Sequence, residues 1–232
     1  MNHLYNIFIK LIDKLILPML GLFNPKIKRF RTNRLSLIEK IKNEVSDKNN
    51  IIWFHVASLG EYEIAVPLIR LIKEKYKSKI ILTFFSESGF KLKNRIKEID
   101  YTYYLPLDTK SNAKKFLDII NPELVIFVRS EIWPNYLNEI KKRNIKSYLV
   151  ESRFNQNSRY LRGIKSIFYL KKLKIFDKIF TVDEESKKAL NRVKINNVIV
   201  SGSLKIERVK DYLDDNYNNN IIKSFKGDDL CI

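Results

Sequence analysis

The chain has 232 residues, 45% of them hydrophobic, which is enough to bury the core of one large domain or two small ones. No uninterrupted run of about 20 apolar residues occurs, which argues against a membrane-spanning helix. Cys231 is the single cysteine and His3 and His55 are the two histidines, so neither an internal disulfide nor a protein zinc site is expected.

The formal charge of +18 predicts attraction to polyanions such as nucleic acid, phosphorylated lipid or an anionic membrane. Two segments concentrate it: residues 26–34 hold five cations and no acid, and residues 141–174 hold eleven cations against Glu151 alone. A general bias toward Lys, Asn and Ile explains the total equally well, because these residues are abundant throughout. The two clusters are therefore the candidate anion-facing surfaces.

The N-terminal segment, residues 4–23, is strongly apolar but carries the charged residues Lys10, Asp13 and Lys14. Their spacing of three to four residues gathers them on one side of a helix, and Pro18 and Gly21 should disturb its last turn. The charged middle does not fit a signal peptide. We predict a membrane-associating interfacial helix over residues 1–25, with the basic cluster after it on anionic head groups. A helix in the core of the globular domain is the alternative.

From residue 51 onward, short apolar runs alternate with segments of helical spacing. The predicted strands are 51–57, 79–85, 102–105, 124–128, 146–150, 178–182 and 197–200, and the predicted helices are 61–75, 111–120, 132–143 and 158–175. This alternation predicts one α/β domain over residues 26–210, a parallel sheet with helices on both faces. Ligands of such sheets bind outside the carboxyl ends of the strands, so residues directly after each strand are the candidate site.

The first strand runs into the sequence HVASLGEYE. Ser58 and Gly60 are placed in the strand-to-helix turn, where glycine allows a tight turn and close approach of a ligand. Glu61 begins the helix, whose N-terminal potential should keep the carboxylate ionised. An ionised carboxylate at the mouth of the sheet could accept a hydroxyl proton as general base. Glutamate in a first helical turn is also ordinary compensation of the helix dipole, so this motif alone does not decide between the two.

The second strand runs into TFFSESG, which places Thr83, Ser86, Ser88 and Gly89 at the same end of the sheet. Hydroxyl groups before a glycine and a helix start could bind phosphate or sugar oxygens. Serine is also a common helix N-cap, so this motif is a weak signal by itself.

Charged side chains follow three later strands. Glu131 follows the fourth strand with Arg129, Arg153 follows the fifth with Glu151, and Lys205 follows the last in the sequence SGSLKIE. Trp133, before Pro134 at a helix start, is interpreted as a packing residue. The convergence of these groups on one edge of the sheet predicts a site there, and their spacing fits no Walker, dinucleotide-binding or Ser-His-Asp motif.

Residues 211–232 begin with a polar stretch rich in Asp and Asn and end in a new apolar run. We interpret them as a linker and the start of a further domain that this chain lacks.

Six blocks, taken in order, carry a resemblance: HVASLGE, TFFSESG, YLPLD, SEIWPN, SRFNQNS and SGSLK. They resemble the family of transferases of 3-deoxy-D-manno-octulosonic acid (Kdo), and the likeness extends from the N-terminal helix to Lys205 and beyond. The sequence departs from the family pattern at Arg129, where many members have Glu, at Glu151 and Ser152 in place of Asn-Ala, at Asn155 in place of Ser, and at Ser203 in place of Asn.

The resemblance implies a GT-B glycosyltransferase whose N-terminal Rossmann-like domain, present here, binds a lipid A precursor (lipid IVA) at the cytoplasmic face of the inner membrane. It implies that the C-terminal domain binds the donor CMP-Kdo, that transfer inverts the anomeric centre, and that no metal or other cofactor takes part. Glu61 would then be the base, with Glu131 and Lys205 stabilising the transition state. Substrate binding would fall to Ser58, Gly60, Ser86, Ser88, Gly89 and Arg153.

Two other functions stay open from the residues alone. One is a basic protein that binds nucleic acid or anionic membrane without catalysis, although no nucleic-acid-binding module is recognisable and nucleic acid is not the expected partner. The other is a non-catalytic remnant that keeps only acceptor binding.

Overall fold

Seven parallel strands form one sheet in the computed structural model of the chain, which describes residues 2–45, 49–90, 98–155, 161 and 166–214. The strands in this described part are β1 (Ile51–Val56), β2 (Lys79–Phe84), β3 (Tyr101–Tyr104), β4 (Leu124–Val128), β5 (Lys146–Ser152), β6 (Lys178–Thr181) and β7 (Val198–Val200). Their order across the sheet is β3-β2-β1-β4-β5-β6-β7. The chain therefore moves toward one edge after β1 and toward the other after β4, which makes the boundary between β1 and β4 the topological switch point.

Helices cover both faces of the sheet, as predicted. They are α1 (Asn2–Leu11), α2 (Leu17–Phe23), α3 (Pro25–Leu35), α4 (Leu37–Glu44), α5 (Leu59–Lys75), α6 (Glu87–Phe90), α7 (Lys110–Ile120), α8 (Pro134–Lys142), α9 (Ser166–Leu173), α10 (Glu184–Arg192) and α11 (Leu204–Asp214). Buried residues of α4, α7, α8, α9 and α10 share one hydrophobic cluster with the sheet, and those of α5 share a second cluster on the opposite face, with Leu204 of α11 packed against it.

Each central strand is buried on both faces, which is why it reads as a continuous apolar run. In β1, Trp53 belongs to one cluster and packs edge-on against Phe116 and Phe127, with ring centroids 5.0 and 5.4 Å apart. Phe54 belongs to the cluster on the other face. Since side chains alternate along a strand, His55 points to the same face as Trp53. The only polar side chain of β1 is therefore buried beneath the carboxyl edge of the sheet.

The predicted strands are all found, with ends that differ by one or two residues. The predicted helix at 132–143 begins only at Pro134, because Trp133, directly before a proline, is extended (φ −108°, ψ 94°). The predicted helix at 158–175 is found from Ser166 to Leu173, and residues 158–160 and 162–165 lie outside the described residues.

The N-terminal segment is helical from Asn2 to Phe23 and is not disrupted at Pro18 as we expected. A π-helical turn, Ile12–Ile16, precedes the proline, and the Leu17 N–H donates to the Ile12 carbonyl. This wider turn accommodates the N–H that proline lacks. The helix stops short of the predicted end at residue 25, since Asn24 caps the next helix by accepting from the Lys26 and Ile27 N–H groups.

This N-terminal helix lies largely outside the core. Its exposed apolar side chains are Leu4, Ile7, Phe8, Leu11, Leu15, Met19, Leu20, Leu22 and Phe23. Tyr5 fastens it to the domain by donating to the Asp108 carboxylate (2.6 Å) and packing on Phe168. Among the described residues, no helix combines the length and the hydropathy that a bilayer crossing requires.

The last described helix, α11, runs from Leu204 to Asp214 and crosses the predicted domain boundary at residue 210. Residues 211–214 are therefore helical, where a linker was predicted. Residues 215–232 lie outside the described part of the chain.

Candidate active site

The two candidate acidic residues come from the two strands that flank the switch point. Glu61 lies in the first turn of α5, directly after β1, and Glu131 lies in the segment between β4 and α8. β1 and β4 are adjacent and in register, with His55 paired to Phe127 near their carboxyl ends. The two carboxylates are close enough for the charge of Glu131 to act on Glu61. The topology thus brings together two residues that are 70 positions apart in the sequence.

The Glu61 carboxylate is half-buried and folds back onto the turn before its own helix. The Ala57 N–H donates to Oε2 at 2.5 Å, and the Ser58 N–H also donates to the carboxylate. Burial raises the pKa of Glu61, the negative charge of Glu131 raises it further, and the two N–H groups and Arg129 oppose the rise. We expected the helix N-terminus to favour the charged form. The Ala57 and Ser58 N–H groups do act in that direction, but desolvation is the larger effect, so the pKa of Glu61 is raised.

Two ring nitrogens converge on one carboxylate oxygen of Glu131. The indole Nε1 of Trp133 donates to Oε2 at 2.8 Å, and the Nε2 atom of His55 lies 3.2 Å from the same oxygen. Trp133 also packs against Phe85 and His55, with ring centroids 4.9 and 5.5 Å apart. Interpreting Trp133 as a packing residue was therefore incomplete, since its N–H also fixes the carboxylate.

Thr83 lies beneath this carboxylate and is completely buried. Its hydroxyl accepts from the Trp53 indole N–H at 2.8 Å and lies 2.8 Å from the Nδ1 atom of His55. Thr83 therefore cannot bind a ligand oxygen, although its position at the strand end suggested it. Sequence reasoning missed His55, whose one signal was a polar residue inside an otherwise apolar strand.

Lys205 lies at the start of α11, at the same edge of the sheet. The preceding turn is fixed by Glu151, which accepts from the Ser203 hydroxyl and the Leu204 N–H, both at 2.7 Å. Gly202 has a φ of +76°, which favours glycine there. Arg208 binds Glu63 at 2.7 Å and joins α11 to α5. The Lys205 side chain is exposed and makes no ion pair within the described ranges, including none with Glu61 or Glu131.

The structure places the two predicted binding glycines in different surroundings. Gly60 lies inside α5, and a Cβ added to it would meet no atom within 4 Å, so it leaves open space above the helix start and is not needed for a tight turn. Gly89 is buried against the Phe84 ring, which a Cβ would strike, so its role is packing and not ligand contact.

Ser58 is the extended N-cap residue of α5, and its side chain makes no capping bond. The Ser86 N–H donates to the Ala57 carbonyl at 2.8 Å. The side chain of Ser88 lies outside the described part. Arg153 is exposed and lies near Asp183, at the start of α10. The pKa of Asp183 is lowered mainly by hydrogen bonds from Ser186, and the charge of Arg153 makes a smaller contribution. The predicted binding residues are therefore not all gathered around Glu61.

A cavity of about 450 Å³ opens between α2, α3 and the end of β2. It is lined by Leu17, Lys26, Ile27, Phe30, Asn33, Arg34, Phe85, Ser86, Glu87 and Tyr104. Phe85 forms part of its wall and also packs on Trp133, which connects the cavity to Glu131. Arg34 donates to the Phe85 and Leu105 carbonyls, and burial lowers its pKa to about 10. Within the described residues, no group of three or more His, Cys, Asp or Glu side chains could hold a metal ion.

Two solved structures have a fold similar to that of this chain. UDP-N-acetylglucosamine 2-epimerase from Rickettsia bellii matches with a TM-score of 0.58 and 16% identity over 75% of this chain and 50% of that one. The Neisseria meningitidis enzyme bound to UDP-GlcNAc matches with a TM-score of 0.58 and 16% identity over 77% and 53%. The chain has the fold of the N-terminal Rossmann-like domain of GT-B proteins, as the sequence predicted.

The sequence comparisons then identify the family. The family model described as 3-deoxy-D-manno-octulosonic-acid transferase (kdotransferase) matches residues 29–208, and the chain belongs to this family. Among its curated relatives, the 3-deoxy-D-manno-octulosonic acid transferase of Rickettsia felis is 32% identical over 74% of this chain and 37% of its own length. That of Haemophilus influenzae is 29% identical over 68% and 38%. The chain thus spans less than half the length of these relatives.

Proposed function

We propose that this chain is the acceptor-binding part of a glycosyltransferase that transfers Kdo from CMP-Kdo to a lipid A precursor, lipid IVA, in lipopolysaccharide core biosynthesis. The observation that carries the proposal is the pair of acidic residues at the switch point of a Kdo transferase fold, with Glu61 half-buried beside Glu131. In this proposal CMP-Kdo is bound by a second domain that faces this edge of the sheet.

Glu61 acts in this mechanism as the general base. Its carboxylate takes the proton from an acceptor hydroxyl as the hydroxyl oxygen attacks the anomeric carbon of Kdo, and the bond to CMP breaks on the opposite face, so the configuration inverts. The raised pKa supports the role, because a carboxylate that is more basic than usual accepts a hydroxyl proton more readily. No metal ion takes part in the proposed reaction.

Lys205 and Glu131 have complementary electrostatic tasks. Lys205 is exposed at the site edge and is free to approach the leaving phosphate or the Kdo carboxylate, where positive charge stabilises the transition state. Glu131 increases the basicity of Glu61 by opposing its ionisation. The open space at Gly60 leaves room for the acceptor at the start of α5.

The acceptor lipid would reach the site from the cytoplasmic face of the inner membrane. The exposed apolar surface of the N-terminal helix supports this proposal, and so do the exposed cations Lys26, Lys28 and Arg29 of α3, which could bind anionic head groups. Both adjoin the cavity, whose lining includes Leu17 and Lys26.

The test is Glu61→Gln in the full-length gene product, assayed for transfer of Kdo from CMP-Kdo to lipid IVA. The amide keeps an oxygen for the Ala57 and Ser58 N–H groups and removes the basicity, so the thermal midpoint should change little while kcat falls by roughly 10²- to 10⁴-fold. The matched control is Glu184→Gln, which makes the same change in the exposed first turn of α10 and should leave kcat unaltered. Wild-type activity in E61Q would refute the proposed base, and a protein that only binds anions would show no transfer in either form.

A further inference from the structure

His55 is completely buried, yet both of its ring nitrogens have polar neighbours. Nδ1 lies 2.8 Å from the Thr83 hydroxyl, and Nε2 lies 3.2 Å from Oε2 of Glu131. The ring is enclosed by the aromatic side chains of Trp53, Phe127 and Trp133, with centroids 6.5, 5.9 and 5.5 Å away. The imidazole ring is therefore packed between aromatic side chains, and its polar contacts are made in the plane of the ring.

The carboxylate partner of Nε2 determines one proton position on the His55 ring. The Trp53 indole can only donate, so it occupies a lone pair of the Thr83 hydroxyl oxygen. A bare Nε2 would face the carboxylate oxygen of Glu131 as acceptor against acceptor, which is unfavourable. Both remaining forms, the neutral ring with its proton on Nε2 and the imidazolium, donate from Nε2 to Glu131.

We propose that His55 is a positioning residue: with the Trp133 N–H, it holds the Glu131 carboxylate in the orientation that faces Glu61 across the switch point. The inference rests on the proposed function, because it assigns His55 a task in setting the basicity of the Glu61 base. The support forms a continuous series of contacts from the core to the site, from Trp53 through Thr83 and His55 to Glu131.

Two N–H donors on one oxygen determine where the negative charge of Glu131 lies. The charged groups that act on Glu61 among the described residues are Glu131, which disfavours its ionisation, and Arg129, which favours it. If the donor at His55 is lost, Glu131 is free to turn toward solvent, and Glu61 loses the neighbour that makes it more basic. The acid limb of the rate profile, which reports protonation of the base, should then move to lower pH.

The experiment compares His55→Asn with His55→Gln in the full-length gene product. Asparagine keeps a polar group near Thr83 but is too short to reach Glu131, whereas the amide nitrogen of glutamine extends about as far as Nε2. H55N should lower kcat by roughly 10- to 100-fold, leave both KM values within about twofold, and shift the acid limb of kcat to lower pH. H55Q should restore most of kcat and the wild-type limb.

The control for lost core stability is Tyr136→Phe, which removes the bond from the tyrosine hydroxyl to the Pro106 carbonyl in the same aromatic cluster. Y136F should lower the thermal midpoint without altering kcat or its pH profile. The inference is overturned if H55Q is as impaired as H55N, or if H55N has the wild-type limb. Glu61→Gln distinguishes a failure of the proposed function from a failure of this inference. An active E61Q refutes Glu61 as the base, whereas an inactive E61Q together with a wild-type-like H55N refutes only the positioning role of His55.

Discussion

Asp108 is the most deeply buried carboxylate among the described residues, with 1% of its surface exposed. It is fully buried at the N-terminus of α8, where it accepts from the Asn135 and Tyr136 N–H groups at 3.1 Å and from the Tyr5 hydroxyl at 2.6 Å. Burial raises its pKa to about 7 in spite of these donors and of Lys172 nearby. One residue thus caps a helix and docks the N-terminal helix, and its charge changes near neutral pH.

The pH dependence of stability should reflect this residue. The pKa of Asp108 is about 7 in the folded chain, which is higher than in the unfolded chain, so the folded state binds the proton more tightly. The stabilisation that this proton gives the folded state is present at low pH and is lost as pH rises toward and through 7. At about 1.4 kcal/mol per pKa unit, the wild type should lose a few kcal/mol relative to Asp108→Asn between pH 5 and 8. Urea unfolding of both proteins across this pH range measures the difference in their free energies of unfolding. A difference that stays constant with pH would contradict the raised pKa.

At the residue level, the sequence predicted that Glu61 and Glu131 lie at one edge of the sheet, because both follow strands and the carboxyl ends of parallel strands meet there. The structure places both residues at that edge; their catalytic roles remain predictions. His55 was not identified, because its partners Thr83 and Glu131 are 28 and 76 residues away and contacts of that kind leave no local pattern. Gly89 was misinterpreted for the same reason, since the Phe84 ring that excludes a Cβ there is visible only in three dimensions.

At the level of elements, the strands were the easiest to predict, because burial on both faces makes each one a short apolar run. Helix ends were harder, since they depend on single capping groups such as Asn24 and on the extended residue before Pro134. The N-terminal helix passes Pro18 because a π-helical turn removes the need for the proline N–H, and no sequence pattern signals that turn.

The exposed apolar surface of this helix gives a prediction for membrane binding. Leu22 and Phe23 are 79% and 84% exposed, so replacing both with Glu should weaken binding of the full-length gene product to vesicles containing anionic lipid by at least about 10-fold. Leu71→Glu is the control, since Leu71 is 57% exposed on α5, away from the N-terminal helix. Equal cosedimentation of the double variant and the wild type would rule out this helix as the binding element.

On the scale of the whole molecule, the sheet order explains why one edge carries the chemistry. The chain reverses direction across the sheet between β1 and β4, which puts α5 and α8 on opposite faces, with one acidic residue near the start of each helix. Alternation of strands and helices was enough to predict a parallel sheet covered on both faces. The strand order was not predicted, because strands that are neighbours in the sheet can be far apart in the sequence. β1 and β4 are adjacent in the sheet, but β2 and β3 lie between them in the chain.

The most direct test of the account is the pH dependence of single-turnover Kdo transfer by Glu131→Gln in the full-length gene product. Glutamine keeps an oxygen for the His55 and Trp133 N–H groups and removes the negative charge that raises the pKa of Glu61. We predict that the acid limb of the rate moves to lower pH, with a reduced plateau. An acid limb unchanged from the wild type would contradict an electrostatic pairing of the two carboxylates across the switch point.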